Sequence, residues 1–173
     1  MLNIRSILVL LLFSTSAWAE ETTPAATEAA TATPPPVIEP SVYVKKVKGD
    51  FSATYKTVFT ALENNGYFVV FEPNIGKNLS HFAQRWGKNY NKNDLEAIRS
   101  IVFCNAWYAN EVSNKDPEML ALCPLHVTLI QKKGVTSILF LRPSLVALDS
   151  PAIKVVTELE LDVIRAIEQG FIP

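Results

Sequence analysis

Reactive side chains crowd into one stretch of this chain. Cys104, Met119, Cys123 and His126 lie close together, and Cys104 and Cys123 are the only two cysteines present. Thiolate, thioether and imidazole are soft ligands suited to copper(I) or a haem iron. The same two thiols could instead form a structural disulfide or a redox pair. Against a metal, Met119 sits in the apolar run Met119-Leu120-Ala121-Leu122, where core packing is the simpler role. His126 falls inside a strand-like segment and there is no C-x-x-C-H haem site or zinc-finger spacing. Nor does a C-x-x-C pair or a flanking cation mark an activated thiol. No cofactor is therefore the leading expectation, with copper or haem as the alternative.

A second concentration of chemistry lies in the polar segment Asn74–Asp94. Lys77, Arg85, Lys88 and Lys92 place four positive charges before the first negative one at Asp94, with His81, Phe82, Trp86 and Tyr90 interleaved. On a helix, Leu79, Phe82 and Trp86 would share one face while Lys77, His81, Arg85 and Lys88 spread along another. Such a lid could bury its aromatics in the core or form a cationic rim beside a groove, and a mixture is expected, with Trp86 mostly buried and Arg85 exposed at the rim. Arg85 and Trp86, with Trp107 and Tyr108 nearby, are the expected rim for a small molecule or a protein partner. Asn78-Leu79-Ser80 matches a glycosylation sequon, a tripeptide common by chance.

Catalytic signatures are otherwise missing from the sequence. There is no G-x-S-x-G or H-E-x-x-H motif, and the six glycines never group into a phosphate loop. Glu158, Glu160 and Asp162 are close along the last helix, but alternate spacing turns them to different sides, and solvated positions are expected rather than an acid–base pair. An enzyme is not indicated. Sixteen basic residues against seventeen acidic ones also argue against a nucleic-acid binder, which is normally basic.

These residues need elements to hold them. Val42–Lys48 alternates valine and lysine like a strand with one wet face. Asp50 then offers an N-cap, Phe51, Tyr55, Val58 and Leu62 fall at helical spacing, and Gly66 supplies a stop. Tyr67–Phe71 is expected as a buried strand, Ile98–Phe103 as another, and Leu125–Gln131 with Thr136–Arg142 as a hairpin across Lys133-Gly134. The last helix is expected to be capped by Ser150, to carry Pro151 at its first position and to end at Gly170. Its apolar stripe is Val156, Leu159, Val163 and Ile167. The economical arrangement is α+β: a mostly antiparallel sheet covered by two helices, with an inserted polar segment and a short helix.

Ahead of that domain the chain carries an address. Arg5, the apolar block Ile7–Phe13 and Ala17-Trp18-Ala19 make residues 1–19 a secretory signal, too short to span a bilayer. Residues 20–40, rich in alanine, threonine, glutamate and proline, are expected to be a disordered linker, leaving 41–173 as a single domain. The expected location is periplasmic or secreted, with no transmembrane segment in the mature protein. In that compartment a Cys104–Cys123 disulfide becomes the leading reading of the cysteines. A homodimer stays open.

Several of these residues form a pattern. Asp50-Phe51 precedes a helix that ends in Asn65-Gly66-Tyr67, Cys104-Asn105 opens a short helix ending at Asp116-Pro117, and Leu122-Cys123-Pro124 enters a strand. This succession resembles the "domain of unknown function 302" family over Tyr43–Glu168. The resemblance implies a TATA-box-binding-protein-like fold: one strand, a helix, four strands and a final helix. Family members often carry a cysteine just after the proline; here that position is Leu125, and the cysteine precedes the proline as Cys123. The family name assigns no activity, and a fold shared with a DNA-binding protein does not imply DNA binding.

Overall fold

In the computed structural model, residues 40–172 are described; the expected signal and nearly all of the expected linker lie outside them. Five strands form one sheet: β1 (Val42–Lys48), β2 (Phe68–Phe71), β3 (Ala97–Cys104), β4 (Leu125–Lys132) and β5 (Val135–Leu141). Their spatial order is β1-β5-β4-β3-β2 and every neighbouring pair is antiparallel. Helix α1 (Phe51–Asn64) follows β1, and α5 (Ile153–Gln169) closes the fold. Two short helices, α2 (Ile75–Ser80) and α3 (Ala83–Trp86), fill the polar insertion, and α4 (Ala106–Lys115) links β3 to β4. The α+β expectation holds.

Period-two alternation decides which side chains reach the core. Ile101 and Phe103 of β3, Val127 and Leu129 of β4, and Ile138 and Phe140 of β5 all face the helices and are buried. Against them pack Val58 and Leu62 of α1 and the expected α5 stripe Leu159, Val163 and Ile167, while Val156 joins a satellite cluster with Val112 of α4. On β1 the facing residues are Tyr43, Lys45 and Val47, so one lysine lies on the helix side and Val44 is exposed. The wet-face reading of β1 assigned these the other way. Lys45 tolerates its position because its Nζ donates to Glu168 Oε2 at 2.5 Å, and Tyr43 donates to the other oxygen of that carboxylate. Those two hydrogen bonds hold Glu168 below the ordinary carboxylate range.

Three further expectations need correction. Tyr67 is fully buried, but β2 itself is an edge strand whose Phe68, Val70 and Phe71 are exposed. Strand order, not hydrophobicity, leaves it with one neighbour. The last helix begins at Ile153 instead of Pro151, because Ser150 opens a separate turn there. Its backbone C=O accepts from Ile153 N, its Oγ accepts from Ala152 N, and its hydroxyl donates to Asp116 Oδ2. Gly170 does end the helix, for reasons of space: a methyl there would stand 3.0 Å from Ala61 Cβ, where α5 crosses α1.

Glu158, Glu160 and Asp162 are not all solvated. Glu160 is buried, accepting from Arg142 Nη1 at 2.7 Å, Ser144 N at 3.1 Å and Ser144 Oγ at 2.5 Å. Asp162 accepts from the buried Tyr67 hydroxyl at 3.1 Å. Alternate spacing turns these side chains to different sides, and one side faces the loop after β5. Truncating Glu160 would remove an acceptor from the half-buried Arg142 guanidinium and from both donors of Ser144, three hydrogen bonds at once. Glu160→Ala is accordingly expected to destabilise the fold by about 3 kcal/mol, and Glu158→Ala, at an exposed position, by under about 0.5 kcal/mol. Denaturant titration of both variants checks the contrast.

Candidate functional site

The strand β3 runs from one concentration of polar chemistry to the other. At its start, Ala97, Ile98 and Arg99 line a cleft of ≈ 710 Å³ roofed by the insertion and flanked by the first residues of α1. At its end, Cys104 borders a small apolar cavity of ≈ 30 Å³. Organic ligands generally occupy roughly 300–1,000 Å³. By volume the cleft could hold such a ligand and the cavity could not.

The insertion reaches the sheet because Gly76 permits it. A Cβ there would lie 3.2 Å from the backbone nitrogen of Ile98, so α2 lies directly on β3. Asn74 caps α2 by accepting from Lys77 N at 2.9 Å. The return to β3 is fixed by Asn91, whose side chain accepts from Leu95 N at 2.9 Å and donates to Leu95 O at 3.0 Å. Its backbone sits at φ 42°, a region asparagine tolerates better than most residues. These anchors make the cleft wall a built feature.

Between the anchors the expected single amphipathic helix does not form. The chain breaks at His81 and Phe82, giving two short helices with no fully buried residue. Phe82 and Trp86 stack on each other, centroids 5.1 Å apart, and remain 45% and 40% exposed. The expectation that Trp86 is mostly buried is thus corrected. A segment this short covers too little of the sheet to bury two large rings, so the rings cover one another instead.

Among the cleft's cations are Lys77 and Arg99. Arg99 lies beneath the first turns of α1, its guanidinium carbon 4.0 Å from the Tyr55 ring centroid and its Nη2 3.7 Å from Glu72 Oε2. The Tyr55 hydroxyl donates to Glu72 Oε2 at 2.8 Å and to Ser100 O at 3.1 Å, and burial with that carboxylate contact pushes its pKa up. Arg99 Nε is buried without a hydrogen-bond partner. Glu96, the acid in the cleft lining, accepts from Lys133 N at 2.8 Å. Aromatic surface comes from Trp86, Tyr90 and Phe51. Sequence reading missed Arg99 as a cleft residue, since only the fold brings β3 beneath the insertion, whereas Tyr90 was visible as one of the insertion's interleaved aromatics.

The four expected rim residues are not brought together. Trp86 lines the cleft, while Arg85 is exposed and outside its lining. Trp107 and Tyr108 start α4 at the far end of β3, paired edge-to-face at 4.9 Å, with Tyr108 on the apolar cavity. An eight-residue strand separates the two places by roughly 20 Å.

At that far end the Cys104 and Cys123 sulfurs are 3.0 Å apart, both as thiols. Burial, followed by the contact with Cys104, pushes the Cys123 thiol up to about 11. Met119 lines the same cavity. His126 does not: it pairs with Val102 on the face of β4 opposite Leu125, which does line it. Among the described residues no group of three or more His, Cys, Asp or Glu side chains could hold a metal ion. No helix among them is long and apolar enough to cross a membrane.

Comparisons with known proteins bear on the fold. Residues 43–170 match the family described as "Domain of unknown function DUF302". A solved structure described as an uncharacterized conserved protein DUF302 from Bacillus stearothermophilus is similar at TM-score 0.63 and 17% identity, covering 75% of this chain and 97% of that one. At that identity the likeness concerns the fold alone. No curated protein matches.

Because Trp86 is partly exposed and packs chiefly on Phe82, Trp86→Ala is expected to cost about 1 kcal/mol instead of the roughly 3 kcal/mol of an emptied core site. Thermal denaturation of the purified variant measures this.

Proposed function

We propose, for a chain that belongs to the DUF302 family, that the domain is a non-catalytic binding module taking a small anionic ligand with a ring or other apolar part into the cleft beneath the insertion. One observation carries the reading: Trp86, still 40% exposed, lines the same ≈ 710 Å³ cleft as Lys77 and Arg99. A ring stacked on Trp86 would gain dispersion and apolar burial. An anionic group would meet Lys77 and the Arg99 fork, whose Nε has no acceptor of its own. The Glu96 carboxylate accepts from the β4–β5 turn, while Glu72 stands 3.7 Å from Arg99 Nη2, so an anion would share the guanidinium with that carboxylate.

The address supports an envelope role. With a charged start, a short apolar block and Ala17 and Ala19 at the cleavage positions, the precursor is exported and the module works in the periplasm or outside the cell. N-terminal sequencing of the exported protein is expected to begin at or next to Glu20; retention of Met1 would remove this part of the reading.

Binding can be read from Trp86 itself. Once the signal is removed, Trp107→Phe leaves Trp86 as the sole tryptophan. Phenyl phosphate, benzoate and inorganic phosphate serve as probes. Phenyl phosphate is expected to shift or quench Trp86 emission saturably and inorganic phosphate to bind more weakly. Arg99→Gln should weaken binding at least about tenfold, the loss of one charge-assisted hydrogen-bonded contact, and Arg85→Ala should leave it unchanged. Equal responses from both variants, or no saturable response to any probe, would sink the proposal.

A further inference from the structure

We propose that Cys104 and Cys123 are a dithiol–disulfide site, a covalent clasp that closes the α4 arm onto the strand ends it leaves and rejoins, and that it is made by exchange with an external disulfide and broken by external thiols. The pair belongs to the opposite end of β3 from the cleft, so this inference stands apart from the ligand-binding reading.

Register brings the two residues together. Phe103 of β3 pairs with Leu125 of β4, the last rung of that ladder, and Cys104 is the next residue outward. Cys123 approaches the same end from the other strand, through Pro124. Continued by one rung the register would set Cys104 opposite Pro124, so Cys123 stands one residue beyond the facing position, and it is the 3.0 Å between the sulfurs that shows the two side chains converging. The sulfurs are already in contact, and each has the other as its partner. Both strands are held at this end, β3 by β2 as well as by β4. Bond formation therefore needs little movement of the backbone.

The surroundings favour this chemistry over a permanently reactive thiol. The cavity beside the sulfurs is lined mainly by Ala109, Val112, Met119, Leu122, Val156 and Leu159. That apolar wall, together with the contact between the thiols, keeps Cys123 protonated at neutral pH. Reduced Cys123 is therefore a slow nucleophile toward external disulfides at neutral pH. Access is one-sided: Cys123 is exposed, whereas Cys104 is half-buried.

The exchange balances without any other reactant. Cys123 loses its proton to solvent and attacks one sulfur of an external disulfide, giving a mixed disulfide and one external thiolate. Cys104 then loses its proton, attacks the Cys123 sulfur, and expels the second thiolate. The external disulfide is reduced to two thiols by the two electrons and two protons that the cysteines give up.

The clasp would act on the arm Asn105–Leu122. Weaker ties hold that arm now. Asn105 accepts from Trp107 N at 3.0 Å and Tyr108 N at 3.1 Å and donates to Gly66 O at 3.0 Å; Asp116 accepts from Ser150 Oγ at 2.5 Å. A disulfide turns the arm into a closed loop, removing open-chain conformers from the unfolded state.

The mature protein, equilibrated with oxidised or with reduced glutathione, tests this. In the oxidised buffer the intact mass should fall by about 2 Da, the expected loss of two hydrogens on forming the bond. Titratable thiols should then drop from two to none, and Tm should rise by about 5–10 °C, as expected for a loop of this size in a small domain. A Cys104→Ser/Cys123→Ser double variant, with its fold checked by circular dichroism, should show a Tm indifferent to the buffer. Two thiols still titratable after oxidation would overturn the proposal. So would a stable glutathione adduct on Cys123 that Cys104 does not displace, or one copper(I) per chain retained with the sulfurs shielded from oxidation.

Discussion

A strand hydrogen-bonded on both sides cannot shift without breaking two ladders, and β3 is such a strand. It pairs with β4 along its length and with β2 over its second half. Its middle is fixed again by side chains, because Ile101 and Phe103 are fully buried against α1, α5 and Tyr67. A rigid strand delivers its two ends to fixed places. One end carries Arg99 into the cleft and the other carries Cys104 to Cys123. Both functional proposals depend on that fixity.

The helix layer explains why the strand is rigid. Burying a Leu, Ile, Val or Phe side chain is worth about 1.5–3 kcal/mol, and the principal core gathers such residues from α1, α5 and three strands. Close approach between α1 and α5 is secured by Gly170, where no side chain fits. Charged groups inside this layer are paired, although the Thr136 hydroxyl is buried without a hydrogen-bond partner. Glu160 takes three donors, Tyr67 donates to Asp162, and Lys45 and Tyr43 share Glu168. Each leaves water only because a partner replaces the lost hydrogen bonds. Among the described residues the outer face of the sheet has no second helix layer over it, and Val44, Phe68, Phe71 and Leu141 are exposed.

Cleft and cysteine pair differ in what they need from the fold. The cleft depends on a segment with no buried residue, held by Gly76, Asn74 and the Asn91 turn. Its wall rests on local hydrogen bonds and one close backbone approach, so its shape is less firmly set than the core's. The cysteines stand where β3 ends and where the chain enters β4, and need the end of that ladder and the short segment Cys123-Pro124 leading into it. An exposed aromatic pair on a lightly anchored wall suits adaptable ligand capture; two sulfurs on a rigid frame suit bond formation.

The sequence by itself determined the elements whose cause is local. Asp50 accepts from Ala53 N as an N-cap, Gly66 takes φ 78° after α1, and Lys133-Gly134 turns the hairpin, because capping and turn conformations depend on residues a few positions apart. The helical stripe of α5 and the α+β class were legible for the same reason: periodicity survives in one dimension. The family resemblance was legible too, through Cys104-Asn105, Asp116-Pro117 and Cys123-Pro124. Only the tertiary structure decided which strand lies at an edge, and so exposed β2 despite its apolar sequence. It also buried Glu160, put Lys45 on the helix side, and separated Trp86 from Trp107 and Tyr108 by the length of β3. Those outcomes turn on strand order and on partners up to 125 residues away, as between Tyr43 and Glu168. No local pattern records them, because burial is a property of what covers a side chain and not of the side chain itself.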